Sequence, residues 1–199
     1  MNKIAATAIV FPQVKLGDNI VIEDYCIIGS LAKDSSGQET VIGDNAIIRS
    51  HTVIYEGNKI GKNFQTGNKA NIREFNSIGN NVSVGTMANV EHHVVIGDGV
   101  RIHSQAFVPE YTQLKENAWL GPNVVITNSK YPKSPHSKEE LKGAIIGENA
   151  KIGAGAVILP GLYIGKNALI GAGSVVTKNV DSDAVMAGNP AVFLKKVHY

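Results

Sequence analysis

The chain has 199 residues, enough for one domain with a sizeable buried core. Nineteen Lys and Arg residues against seventeen Asp and Glu residues leave a net charge of +2, too small to predict a nucleic acid or a membrane surface as partner. The single cysteine excludes an internal disulfide, and the start MNKIAATAIVFP lacks the apolar stretch of a signal peptide or membrane span, so we expect a cytoplasmic protein.

One tetrad, Ile-Gly-x-Asn or a close relative, recurs along the chain. Its copies begin at Leu16, Ile42, Ile60, Ile78, Ile96, Leu114, Ile146 and Ile164. The copies from Ile42 to Leu114 are 18 residues apart, and the two longer gaps of 26 and 32 residues equal one period plus 8 or 14 residues. Two polar, turn-rich insertions, near 33–40 and 128–145, therefore interrupt one continuous period.

Each period divides into three hexads with an aliphatic first residue and a small or branched fifth residue, as in IGENAK, IGAGAV and ILPGLY from Ile146. Neither an α-helix nor an isolated strand has this period. It fits a triangular coil with three short faces, in which the first and fifth side chains point inward. Cys26 falls at a fifth position, so we expect it in the core.

The period also predicts which outward residues are neighbours, because stacked coils place equivalent positions about 4.8 Å apart. The column through His92 reads Glu56, Glu74, His92 and Glu110, and the column through His93 reads Gly57, Phe75, His93 and Tyr111. A carboxylate beside an imidazole favours its protonated form and can fix its tautomer, as a general base requires. His92 is therefore a candidate base, and a surface histidine in a solvated acidic stripe is the alternative.

Small residues mark the corners of the last coils. The hexads IGAGAV and IGAGSV expose Gly153, Ala154, Gly171 and Ala172, where missing side chains would let a linear ligand approach the backbone. The preference of a tight corner for small residues is the alternative explanation.

The repeats and the closing segment AGNPAVFLKK resemble the hexapeptide-repeat acyltransferase family, over about nine-tenths of the chain. Within that family, the sequence most resembles the nucleotide-sugar N-acetyltransferases. The resemblance implies an all-β, left-handed parallel β-helix over residues 1–184, with a short C-terminal appendage over 185–199. It also implies a homotrimer, because members of the family build their acyl-CoA sites between adjacent prisms.

The resemblance also implies roles for single residues. In several members the base is a histidine that follows an acidic residue, and Glu91-His92 matches this pattern. His92 is therefore the expected base, with Glu74 or Glu110 holding its ring. The alternative bases are His93, His103 and His51.

The co-substrate implied by the family is acetyl-CoA. Its expected contacts are Gly121, Asn128, Gly153, Ala154, Gly171, Ala172, Asn189, Pro190, Lys195 and Lys196. A backbone N–H near Gly121 is expected to stabilise the oxyanion, the lysines to meet phosphates, and the second insertion to help form the acyl-CoA tunnel. A γ-class carbonic anhydrase shares the fold, but the histidines of this chain do not stack as its metal ligands would, so we expect no metal.

The sequence thus predicts transfer of an acetyl group to a small acceptor, the amine of a nucleotide-linked amino sugar. Two alternatives stay open: O-acetylation of a sugar or serine hydroxyl, and a structural solenoid without chemistry.

Overall fold

The computed structural model is a parallel β-helix of short strands, which confirms the fold that the period predicts. The structure describes residues 1–33, 35 and 37–198, so positions 34 and 36 of the first predicted insertion and position 199 of the predicted tail lie outside the described residues. The described residues form strands and turns without an α-helix, and hence without a helix that could cross a membrane.

Three sheets form the faces of the prism. Sheet 1 contains β1 (Lys3–Ile4), β4 (Val21–Ile22), β7 (Ile47–Ile48), β10 (Gln65–Thr66), β13 (Ser83–Val84), β16 (Arg101–Ile102), β19 (Trp119–Leu120), β22 (Lys151–Ile152), β25 (Leu169–Ile170), β27 (Ala184–Gly188) and β28 (Ala191–Lys196). Sheet 2 contains β2 (Ile9–Val10), β5 (Ile27–Ser30), β8 (Val53–Tyr55), β11 (Asn71–Ile72), β14 (Asn89–Val90), β17 (Phe107–Val108), β20 (Val125–Ile126), β23 (Val157–Ile158) and β26 (Val175–Val176). Sheet 3 contains β3 (Val14–Leu16), β6 (Thr40–Ile42), β9 (Lys59–Ile60), β12 (Ser77–Ile78), β15 (Val95–Ile96), β18 (Gln113–Leu114), β21 (Ile145–Ile146) and β24 (Tyr163–Ile164).

Each coil passes through sheets 1, 2 and 3 in turn. We call the turn from sheet 1 to sheet 2 the first corner, the turn from sheet 2 to sheet 3 the second corner, and the turn from sheet 3 back to sheet 1 the third corner. Neighbouring coils pair in parallel with the predicted offset, Gln65 with Ser83 for example. Where an insertion intervenes, Leu114 pairs with Ile146, so the extra residues leave the stack at a corner and the sheet continues.

The core fills the prism as the hexads predict. Ile146 and Ala150, the first and fifth residues of one hexad, are both fully buried. Cys26 is buried as well, and burial raises the pKa of its thiol. Phe64 is the largest of the fully buried side chains.

The chain closes with a hairpin. Strand β27 continues sheet 1 in parallel beside β25, and β28 then runs back antiparallel to β27. The turn between them, Asn189-Pro190, therefore lies at the end of sheet 1 that faces the first corner, where the Gly188 N–H donates to the Ser174 hydroxyl over 3.1 Å.

Candidate functional site

The second corner carries both insertions and the histidine pair. The first insertion joins β5 to β6, the second joins β20 to β21, and His92 and His93 lie between β14 and β15. Because all three connections lead from sheet 2 to sheet 3, stacking brings them to one edge of the prism. They border a cavity of about 500 Å³ lined by Ala32, Lys33, Arg73, Glu74, Phe75, His92, His93 and Lys138.

Aromatic rings occupy the strained position of this corner. Phe75, His93 and Tyr111 have φ angles of 62°, 57° and 64°. This left-handed region costs most residues roughly 1–2 kcal/mol, and asparagine, which tolerates it better, recurs at the third corner. The His93 ring centroid lies 5.3 Å from that of Phe75 and 5.9 Å from that of Tyr111, as the column predicts. Positive φ angles recur at every corner of the solenoid, at Lys69 and Met87 of the first corner for example, so the distinctive feature here is the stacking of aromatic rings.

The two histidines of the pair contact each other directly. Their Nδ1 atoms are 2.8 Å apart, and the rings are nearly perpendicular. His92 also faces Glu110, whose Oε1 lies 3.8 Å from His92 Nε2. That separation is too long for a hydrogen bond but short enough for an electrostatic influence on the ring.

Asn128 belongs to this corner. Its side-chain amide donates to Glu110 Oε2 over 2.6 Å at the start of the second insertion. Asn128, which we expect among the cofactor contacts, thus also orients the carboxylate beside His92.

Glu74 forms an ion pair with Arg73. Both of its carboxylate oxygens accept hydrogen bonds from the Arg73 guanidinium, over 2.8 and 2.9 Å. Burial raises the pKa of Glu74, but the bonds from Arg73 outweigh it, so the pKa is lowered and the carboxylate is ionised with its charge balanced by Arg73. Sequence reasoning missed Arg73 because it is a single cation at an outward second position, without a periodic signal.

The Glu56 carboxylate is buried and hydrogen-bonded, so a ligand cannot reach it. It is fully buried and accepts the backbone N–H groups of Ala32 and Gln38 over 3.0 and 2.8 Å, at the two ends of the first insertion. Burial raises the pKa of this carboxyl, and hydrogen bonds from the Ser35 hydroxyl and the backbone reverse the effect and lower it. Glu56 therefore closes the loop that carries Lys33 to the cavity.

We expect Glu56→Gln to lower the free energy of unfolding by about 1.5–3 kcal/mol at pH 7, the contribution of a hydrogen bond to a charged group. Since the folded pKa lies below the ordinary value of 4.5, the contribution is present above pH 4.5 and is lost as the pH falls through the folded pKa. Urea unfolding of parent and variant between pH 7 and pH 3 measures the difference. Glu39→Gln, an exposed carboxylate of the same insertion, is the control; an equal loss in both variants would contradict a special role for Glu56.

The two remaining candidate bases lie at the first corner. His51 contacts Tyr25 with ring centroids 5.1 Å apart, and His103 packs edge-on against Trp119 at 4.7 Å. Burial, followed by the nearby Arg101, lowers the pKa of His103. The structure therefore separates these histidines from the pair at the second corner.

Most of the expected cofactor contacts also gather at the first corner, on the C-terminal coils. They are Gly121, Gly153, Ala154, Gly171, Ala172 and the Asn189-Pro190 turn. Gly121 is engaged in stacking, because its N–H donates to the Ile152 carbonyl over 2.8 Å and an added Cβ would lie 2.8 Å from the Ala154 nitrogen. The backbone N–H of Gly121 therefore already donates a hydrogen bond within the solenoid.

Ala154 and Ala172 offer free donors instead. Both are exposed, and within the described part of the chain neither backbone N–H meets an acceptor. Gly155 beside them has a φ of +67° and open space where a side chain would be, so a ligand can approach the backbone here.

Lys195 and Lys196 lie away from this corner. Because β28 runs antiparallel to β27, both lysines return to the end of sheet 1 near the third corner, where Lys196 Nζ donates to the Ser182 carbonyl over 3.0 Å. The structure does not bring them together with the small residues of the first corner. Among residues 1–33, 35 and 37–198, no three His, Cys, Asp or Glu side chains lie close enough together to hold a metal ion.

The chain matches the family described as bacterial transferase hexapeptide (six repeats) over residues 77–110 and 143–178. It is 52% identical over 86 residues to a Dictyostelium discoideum protein named as an acetyltransferase, covering 41% of this chain and 45% of that protein. It is 35% identical over 83 residues to the galactoside O-acetyltransferase of Lactococcus lactis, covering 40% of each. The chain thus spans less than half the length of these curated relatives.

Two solved structures are similar to parts of the chain. A maltose O-acetyltransferase from Clostridium difficile 630 is 30% identical, with a TM-score of 0.48 over 58% of this chain and 70% of that one. A GDP-perosamine N-acetyltransferase from Caulobacter crescentus, solved with CoA and GDP-perosamine, is 20% identical, with a TM-score of 0.39 over 98% of this chain and 57% of that one.

Proposed function

We propose that the chain transfers the acetyl group of acetyl-CoA to the amine of a nucleotide-linked amino sugar, a proposal that its match to the hexapeptide-repeat transferases and its likeness to an acetyltransferase support. The observation that carries the proposal is the histidine pair, which borders the cavity of about 500 Å³ at the second corner. A neutral imidazole there can take the proton that the amine loses as its nitrogen attacks the thioester carbonyl. Coenzyme A leaves as a thiolate, so no covalent enzyme intermediate is needed.

The charges around the cavity favour an anionic acceptor. Lys33 and Lys138 reach its wall from the two insertions, and no carboxylate in the described part of the chain pairs with either lysine. Arg73, by contrast, is neutralised by Glu74. The phosphates of a nucleotide linkage would meet these two ammonium groups while the amine faces the histidines.

We expect the protein to release thiol from acetyl-CoA with at least one member of a panel of UDP- and dTDP-amino sugars. Replacing both Lys33 and Lys138 by alanine should raise the acceptor KM at least about tenfold, the loss of one charge-assisted hydrogen bond, and leave the acetyl-CoA KM unchanged. Lys178→Ala, an exposed lysine at the same corner outside the cavity, is the matched control. Absence of thiol release with every acceptor would contradict the proposal.

A second candidate is O-acetylation of a sugar hydroxyl, which the likeness to the galactoside O-acetyltransferase favours. The same base would serve a hydroxyl. Thiol release with neutral sugars, unaffected by the loss of Lys33 and Lys138, would select this reaction over the first.

We also propose a homotrimer. The histidine pair lies at the second corner and the small residues that suit a cofactor lie at the first, so the two proposed halves of the site are on different edges of one prism. A neighbouring copy can set its first corner against this second corner. A closed ring of three copies would then form three identical sites, one at each interface.

A further inference from the structure

Building on the proposed acetyl transfer, we infer a directed proton relay at the second corner, in which His93 takes the acceptor's proton and His92, oriented by Glu110, receives it from His93. His93 is then the catalytic residue, and His92 and Glu110 are positioning residues. This reverses the order that the sequence predicted, where His92 was the base.

The direction follows from the nitrogen that Glu110 faces. The two Nδ1 atoms, 2.8 Å apart, share one hydrogen, so one ring donates and the other accepts. An ionised carboxylate only accepts, and Glu110 lies 3.8 Å from His92 Nε2, which favours a hydrogen on that nitrogen. A neutral His92 then has a lone pair on Nδ1, so His93 donates from its own Nδ1 and keeps a free lone pair on Nε2.

The two carboxylates near the histidine pair, Glu110 and Glu74, differ in their hydrogen-bond partners. Asn128 holds the Glu110 carboxylate over 2.6 Å, whereas both oxygens of Glu74 are occupied by Arg73. Glu110 therefore exerts the stronger orienting effect, and it acts on His92.

Exposure and charge also favour His93 as the base. Both rings line the cavity, and His93 is the more exposed of the two residues, since the His92 side chain is only 27% exposed. Although His93 is exposed, partial desolvation of its ring, and then the neighbouring His92, lower its pKa from the ordinary value of 6.5, against the opposing effect of Glu74. His93 is thus neutral at pH 7, as a base must be. The charged and titratable groups around the pair are Lys33, Arg73, Glu74, Glu110, Tyr111 and Lys138.

The relay balances atom by atom. The acceptor nitrogen forms a bond to the thioester carbon, the carbon–sulfur bond breaks, and the nitrogen's proton passes to His93 Nε2. The Nδ1 proton of His93 then moves to His92 Nδ1, which places the imidazolium beside Glu110. The pair finally gives one proton to the coenzyme A thiolate, which yields free thiol and restores both neutral rings.

The tautomers can be measured without activity. Nitrogen NMR of the full-length protein with ¹⁵N-labelled histidine should show a protonated Nδ1 on His93 and a protonated Nε2 on His92 at pH 8. Glu110→Gln should redistribute the His92 tautomers, because it removes the carboxylate that favours Nε2–H. The opposite tautomers in the parent would overturn the relay even if acetyl transfer were established.

Kinetics separate the two histidines. His93→Asn should lower kcat at least about 100-fold, the usual contribution of a general base. His92→Asn should lower kcat less, and should move the acid limb of the kcat/KM profile to higher pH, because the neighbour that lowers the His93 pKa is gone. His198→Asn, an exposed histidine of the tail, is the control for the substitution itself.

Each failure has its own signature. A larger loss in His92→Asn than in His93→Asn would overturn the relay and leave the acetyl transfer standing. No thiol release by the parent with any acceptor would overturn the transfer, while the NMR result would still decide the tautomers. If His93→Asn misfolds, His93→Gln and the NMR of the parent provide the test.

Discussion

Mixing two inactive variants of the chain is expected to restore acetyl transfer. His92→Asn with His93→Asn disables the second corner, and Ala154→Trp blocks the first corner with a bulky side chain at an exposed position. Alone, the double histidine variant should lose at least about 100-fold in turnover. In randomly mixed trimers, each site takes one corner from each of two chains, so about one quarter of the sites combine two intact corners.

Recovery depends only on where the two halves of the site lie. Co-refolded variants at equal concentration, with mixed trimers verified by native mass spectrometry, should reach about a quarter of the parental rate of thiol release. The control places all three substitutions in one chain and mixes it with the double histidine variant, a combination in which every site lacks its histidines. Mixed trimers without recovered activity would show that one chain contains the whole site, and would contradict the proposed shared site.

The repeat predicted the coils because the physical constraint is periodic. Hexads inside the stack bury their first and fifth side chains in a narrow prism, and an error in phase would expose Ile146 and Ala150 together. The same phase placed Cys26 in the core and stacked Phe75, His93 and Tyr111 at one corner. Which residues stack in neighbouring coils can therefore be predicted from the register without knowing the side-chain conformations.

The site could be predicted only to the level of columns. A column says that Glu74, His92 and Glu110 are neighbours, but side-chain rotamers decide which atoms meet, and Glu74 turns to Arg73 in the same coil. The contact between His92 and His93 is likewise lateral, between adjacent residues whose directions the period does not specify.

The hydrogen bonds by which Glu56 joins the two ends of the first insertion could not be predicted from the sequence either. Stacking places Glu56 in the acidic column, and the structure shows that it is buried. Its carboxylate accepts the backbone N–H groups at both ends of the first insertion, and the repeat does not predict these contacts. Loops that leave a solenoid follow their own hydrogen bonds, so the wall formed by Lys33 and Lys138 appears only in the structure.

Phe64→Ala is expected to cost about 3–5 kcal/mol of unfolding free energy, the typical loss for a buried aromatic side chain. Phe64 occupies a fifth position between Ala46 and Val82 of the neighbouring coils, and all three are fully buried. The small Ala46 cannot fill the space that the ring leaves, and the backbone of each coil is held by its neighbours, as in the bond from Ile47 N–H to the Phe64 carbonyl over 2.8 Å. The walls of the prism therefore have little freedom to collapse.

Thermal unfolding at one fixed protein concentration measures this loss, since assembly would make the midpoint depend on concentration. At about 2–4 °C per kcal/mol for a chain of this length, Phe64→Ala should lower the Tm by roughly 6–20 °C. Phe64→Leu should cost less than half as much because it keeps most of the volume, and Gln65→Ala, exposed on the next position, should stay within about 0.5 kcal/mol of the parent. A loss below about 1 kcal/mol in Phe64→Ala would show that neighbouring coils close the cavity, and the rigid stacking that positions both corners would then need another explanation.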